Sequence, residues 1–124
     1  VSMKVIDILK ETCSLVYAVS GNMDLPETRN KLPFKDIISV GKYKIGVIHG
    51  YGHPGALIEI VSKAFQDEGV DAIIFGHSHN AVNEKRNGIL YFNPGSLTDK
   101  MFARYNSYGI IEIGEEIEAR IIKI

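Results

Sequence analysis

Residues 71–79 read Asp-Ala-Ile-Ile-Phe-Gly-His-Ser-His, and the rest of the chain is best read from this stretch. Ala72 to Phe75 is an apolar run too short for a helix, bounded by Asp71 and Gly76. That is the pattern of a strand buried on both faces. His77 and His79 follow at once, two residues apart, so in an extended segment both imidazoles point to one side. Gly76 removes a side chain that would crowd the approach. A buried strand ending in paired imidazoles predicts a layered α/β or α+β protein with its chemistry on the loops at the strand ends.

Upstream the pattern recurs. Leu15 to Val19 is a second apolar run, expected to be a buried strand, and it exits through Ser20-Gly21 to Asn22. Lys42 to Ile48 runs into His49 and pairs with Asp36 to Val40 as a hairpin about Gly41. Leu57, Ile60, Val61, Ala64 and Phe65 form a helical stripe, so residues 55–68 are expected as a helix stopped by Gly69. Ser2 is a plausible N-cap for an amphipathic helix over 2–11, and Pro26 and Pro33 bracket a polar loop or short helix. Downstream, Asn87-Gly88 supplies the positive φ angles of a two-residue turn between strands in 81–92. Tyr108 to Ile124 alternates about a turn near Gly114-Glu115 and reads as a terminal hairpin. Two helices and seven or more strands make one layered domain over 1–124.

The bulk numbers agree. The chain has 124 residues, 45% of them hydrophobic, and 14 Lys+Arg against 15 Asp+Glu give a net charge of −1. Such a chain buries a core without disulfides. The near-zero charge argues against a nucleic-acid or membrane partner, and no apolar run approaches the ~18 residues of a membrane span. Cys13, the single cysteine, excludes an intrachain disulfide and a Cys-based zinc cluster. It fits a reducing compartment, so a cytoplasmic protein is expected, with Cys13 a small core residue at the start of a strand.

All four histidines (His49, His53, His77 and His79) stand just after predicted strands, and Asn22 offers an amide oxygen at a third strand exit. Imidazoles with one amide oxygen suit Mn²⁺, Fe, Ni²⁺ or Zn²⁺ rather than Ca²⁺ or Mg²⁺. A lone His-x-His is usually a surface loop; the coincidence of three strand exits favours a metal site. Lys42, Lys44, Lys85 and Arg86 read as solvated hairpin faces, and Tyr91 and Phe92 as core or sheet surface.

Gly21-Asn22-Met23-Asp24, then Ile48-His49-Gly50, then Gly76-His77-Ser78-His79, with Asn93-Pro94-Gly95-Ser96 after the next hairpin, resembles the ordered motifs of calcineurin-like metallophosphoesterases. The resemblance is to their small, single-domain bacterial and archaeal branch. It implies an αββα sandwich and a phosphodiesterase or phosphatase acting on a small phosphoester through two divalent ions, Mn first. By position, Asn22, His49 and His77 resemble the ligands of one ion, and His79 one ligand of the other. The family's D-x-H and G-D motifs, which precede this region, do not occur in the 124 residues. The chain is therefore expected to lack a first strand-helix-strand unit of at least about 30 residues, and to be inactive alone. It is further expected to associate with itself through the uncovered edge of the 15–19 strand. Many family members carry a His where Met23 stands, and a thioether has no proton to transfer. His53 is either a phosphate contact or a solvated loop residue. Gly95 and Ser96 either offer backbone N–H donors to a phosphate or form a structural turn. The rival expectation is a non-catalytic protein-interaction scaffold resembling the retromer subunit of the same family.

Overall fold

The structure, a computed structural model, describes residues 2–124. The elements in order are α1 (Met3–Thr12), α2 (Pro26–Lys31), β1 (Lys35–Val40), β2 (Tyr43–Ile48), a 3-10 turn (Pro54–Ala56), α3 (Leu57–Ala64), β3 (Ala72–Ile74), β4 (Val82–Arg86), β5 (Ile89–Asn93), β6 (Ser107–Ile113) and β7 (Ile117–Lys123). Five strands form a mixed sheet ordered β1-β2-β3-β5-β4, and β6-β7 form a second sheet. The centre of the large sheet, β2, β3 and β5, is parallel. The outer strands β1 and β4 pair antiparallel to their neighbours as hairpins.

Alternation along β5 explains the layering. Tyr91 belongs to the core that Ile48, Val61, Phe65 and Ile73 build with α3. Its neighbour Phe92 turns to the opposite face, where its ring lies against Gly109 of β6; any Cβ on Gly109 would collide with that ring. The large sheet is thus covered by α3 on one side and by β6-β7 on the other, which is why its central strands read as unbroken apolar runs. Tyr91 and Phe92 are both core, 4% and 2% exposed. Gly46 serves the helical face in the same manner, because a Cβ there would sit 2.9 Å from the Phe65 ring. Lys35 donates to the Ala64 carbonyl at the end of α3 (2.6 Å) and pairs with Glu68 at 3.1 Å, tying the start of β1 to the helix C-terminus.

The hairpins lie where the sequence places them. Asn87 and Gly88 have φ of 50° and 80°, and Gly41 has 57°. Lys42, Lys44, Lys85 and Arg86 are exposed. Three expectations need correction. Residues 15–19 form no strand: among the described residues nothing pairs with them, and Leu15 and Tyr17 are 74% and 53% exposed. Cys13 is the exposed C-cap of α1 rather than core, since no sheet carries the segment inward. The helix expected over 55–68 begins as the 3-10 turn and ends at Ala64, with Asp67 and Gly69 both left-handed (φ 64° and 67°). There Phe65 leaves the helix to pack on Gly46.

Candidate active site

Because β2, β3 and β5 run parallel, their C-terminal ends lie along one edge, and the loops leaving them meet there. The ladder continues past the strands: Phe75 N–H donates to the Phe92 carbonyl and Gly76 N–H to the His49 carbonyl, each at 2.9 Å. This sets the His49 and His77 rings side by side, centroids 5.5 Å apart and nearly perpendicular. A cavity of about 870 Å³ opens over them, lined by Asn22, His49, His77 and His79, with Val47 and Ile6 among its apolar walls.

The histidine loop is not extended. His77 and His79 have φ of 67° and 61°, so the two-residue periodicity expected of them does not apply. Left-handed backbone is costly away from glycine and persists where surroundings enforce it. Here the enforcement is visible. Asn93, wholly buried, donates from Nδ2 to the Gly76 carbonyl (2.9 Å) and to Ser78 Oγ (3.2 Å), while its Oδ1 accepts from Gly95 N–H (3.0 Å). Asn80 donates to the Ser78 carbonyl (3.1 Å) and accepts from Arg104 N–H (3.1 Å). Both imidazoles still reach the cavity, but each leans on a different partner: His77 Nε2 on the Gly52 carbonyl at 2.8 Å, His79 Nδ1 on Asp99 Oδ2 at 2.6 Å.

His49 sits half-buried between two glycines. A Cβ on Gly21 would stand 3.1 Å from its Nδ1, and one on Gly76 3.7 Å. Burial, and then the neighbouring His77 charge, hold its pKa below the ordinary imidazole value, with Asp24 opposing. A neutral imidazole keeps a lone pair for a metal or a proton. Asp24 accepts from Gly21 N–H at 2.7 Å and so shapes the turn that carries Asn22. Met23 projects into solvent, 88% exposed, at the rim of the cavity.

Three residues singled out in the sequence lie outside the cavity lining. His53 Nδ1 accepts from Gly55 N–H (3.0 Å), capping the 3-10 turn. Gly95 has φ of 85° and no room for a Cβ against Ser107, and its N–H is taken by Asn93. Ser96 Oγ accepts from Thr98 and Asp99 N–H groups at 3.4 and 3.2 Å.

Sequence reasoning missed Asp99. Its carboxylate accepts from the N–H groups of Met101 (2.8 Å), Phe102 (3.2 Å) and Ala103 (3.1 Å) besides His79. The Met101 N–H and the His79 ring, with Phe102 in support, lower its pKa to about 2. The signal available was slight: a carboxylate three residues after Ser96 marks a capped turn, not its distant partner. Phe102, 71% exposed on the cavity wall, was missed as well.

In kind, the donors fit a transition metal. Metal-ligating imidazoles commonly give their second nitrogen to a carbonyl or carboxylate, as His77 and His79 do. The set is partial: among the described residues no three His, Cys, Asp or Glu side chains gather closely enough to hold an ion by themselves.

A family model for the calcineurin-like phosphoesterase superfamily domain matches residues 1–116. A probable metallophosphoesterase of Methanocaldococcus jannaschii is 34% identical over 98% of this chain and 60% of its own. Another from Bacillus subtilis is 36% identical over 77% of this chain and 55% of its own. The chain thus spans little more than half the length of these curated relatives. Among solved structures, a Thermotoga maritima protein is superposed over all of this chain and 75% of its own, with a TM-score of 0.74 and 30% identity. An archaeal phosphodiesterase (TM-score 0.79, 22% identity, 100% and 78% covered) and a Zn²⁺ complex of Vps29 from Entamoeba histolytica (0.74, 23%, 97% and 75%) share the fold. The parallel strands, the loops at their ends and the matched model agree: the chain belongs to the calcineurin-like phosphoesterase superfamily.

Proposed function

We propose that this chain supplies one wall of the active site of a divalent-metal-dependent phosphoesterase acting on small phosphodiesters. The observation that carries this reading is the convergence of Asn22, His49, His77 and His79, from three separate loops, on one cavity. Relatives named probable metallophosphoesterases support it, as does the fold shared with an archaeal phosphodiesterase. In this reading Asn22, His49 and His77 hold one divalent ion and His79 contributes to a second, with Mn²⁺ first and Fe, Ni²⁺ or Zn²⁺ next. Such ions, when bound, supply Lewis-acid activation of water and of a phosphoryl oxygen.

The protein's own contribution is positional. Burial keeps His49 neutral. Gly21 lets its loop close on the His49 ring. Val47 and Ile6 make part of the wall apolar, which strengthens electrostatic interactions nearby. Met23 has no proton to offer a leaving group, so the reading favours esters with acidic leaving groups, such as nitrophenyl phosphodiesters, over alkyl phosphomonoesters.

The test uses protein made from the complete coding region. Metal analysis is expected to find stoichiometric Mn, Fe, Ni or Zn, and bis-p-nitrophenyl phosphate to be hydrolysed with metal dependence. His77→Ala lowers turnover at least ~100-fold, at or beyond the usual effect of losing a ligand's supporting partner. Metal-free protein that hydrolyses no phosphoester would favour the interaction scaffold instead. The exposed Met23 and Phe102 on the cavity lining are what that rival would use.

A further inference from the structure

Asp99 stands twenty residues from His79 in sequence and is the one carboxylate bonded to any of the three cavity imidazoles among the described residues. Its side chain is only 13% exposed, whereas His79 is 43% exposed. The carboxylate cannot swing, because three consecutive backbone N–H groups, from Met101 to Ala103, hold it. The Asn106 amide braces the same turn through the Asp99 carbonyl at 2.8 Å. An ionised carboxylate only accepts, so the ring nitrogen facing it carries the hydrogen. For His79 that nitrogen is Nδ1, and the lone pair is left on Nε2.

We propose that Asp99 is a positioning residue that locks His79 in the Nδ1–H tautomer, leaving Nε2 as the nitrogen available to a metal ion. The proposal rests on the metal-site reading above, but its first test needs no metal. The same turn that fixes Asp99 also carries Phe102 to the cavity wall. One carboxylate therefore joins the His79 ring to the turn that carries Phe102 to the cavity wall.

The experiment is long-range ¹H–¹⁵N correlation on the histidine rings of the metal-free protein at pH 8. Wild-type His79 is expected as the Nδ1–H form. A wild-type spectrum showing the Nε2–H form overturns the proposal whatever any variant does. In Asp99→Ala the ring reverts toward the Nε2–H form that free imidazole side chains prefer in water. Asn106→Ala, which loosens the turn but keeps the carboxylate, leaves the tautomer in place; loss of the Nδ1–H form there would assign the effect to turn structure and overturn the proposal. Zn²⁺ titration is the second readout, with affinity falling about 10–100-fold in Asp99→Ala. Equal affinity in wild type and Asp99→Ala overturns the positioning role. Wild-type protein that binds no Zn²⁺ while showing the Nδ1–H tautomer counts against the metal-site reading and not against the lock.

Discussion

The two sides of the candidate site are built very differently. On one side, the loop 76–80 and the turn 93–107 are laced by side chains: Asn80, Asn93, Asp99, Asn106 and Ser107 all bond to backbone groups. On the other, residues 13–25 carry Asn22 on a stretch fastened by Ser20 N–H to the Pro33 carbonyl (2.9 Å) and by the Gly21–Asp24 turn. Its apolar side chains, Leu15, Tyr17, Met23 and Leu25, are mostly solvated. A site needs its ligands fixed, and among the described residues the histidine side achieves that through polar bonds from buried and half-buried side chains, the asparagine side through the Gly21–Asp24 turn and the Ser20–Pro33 bonds. The lesson is that rigidity in this fold comes from carboxamides and carboxylates placed behind the loops and not from the strands alone.

The hardest way to break the contrast is Asn93→Ala. It removes three hydrogen bonds and leaves the Gly95 N–H without its acceptor, while the Gly76 carbonyl keeps the Ser78 N–H and Ser78 Oγ keeps Asn80, so a loss of about 1–3 kcal/mol is expected. A urea midpoint within error of wild type would show that the histidine loop holds without its brace. His53→Ala comes next: loss of the cap on the 3-10 turn costs ~1 kcal/mol, with metal content unchanged. A fall in bound metal would return His53 to the site.

Acid should act on the braced side in two stages. His49 has a pKa lowered from 6.5, so its contribution is complete above 6.5 and lost as pH falls through the lower folded value. Asp99 behaves alike at lower pH: its contribution is complete above the ordinary carboxylate range and disappears as pH falls through about 2. Both make stability rise with pH. In a melting-temperature series against pH, Asp99→Asn abolishes the lower stage only; an unchanged acid limb would contradict the assignment. The smallest effect is expected on the loose side. Met23→Ala, at a position 88% exposed, should move stability by no more than ~0.5 kcal/mol in a denaturant titration.

The same contrast explains what could be read from the sequence. Asn87-Gly88 and Gly41 fixed two hairpins because turn chemistry is local. His49 and His77 were legible as strand-exit residues because their strands are apolar and parallel, so their ends share an edge. Asp99 was not, since its bond to His79 crosses from one loop to another that no periodicity links. The run Leu15 to Val19 misled in the opposite direction: its composition is that of a strand, but a strand exists only where another one bonds to it. Left-handed φ at His77 and His79 was equally hidden, being imposed by Asn93 and its neighbours rather than by the residues themselves.

Cys13 closes α1 in the open, and it is the single thiol in the chain. It stands nine residues from Asn22, on the less tethered side of the cavity. A maleimide fluorophore or nitroxide attached there would need no cysteine-free background. Its anisotropy or line shape would report the motion of the Asn22 arm directly, during titration with an ion or a phosphoester, in otherwise unaltered protein.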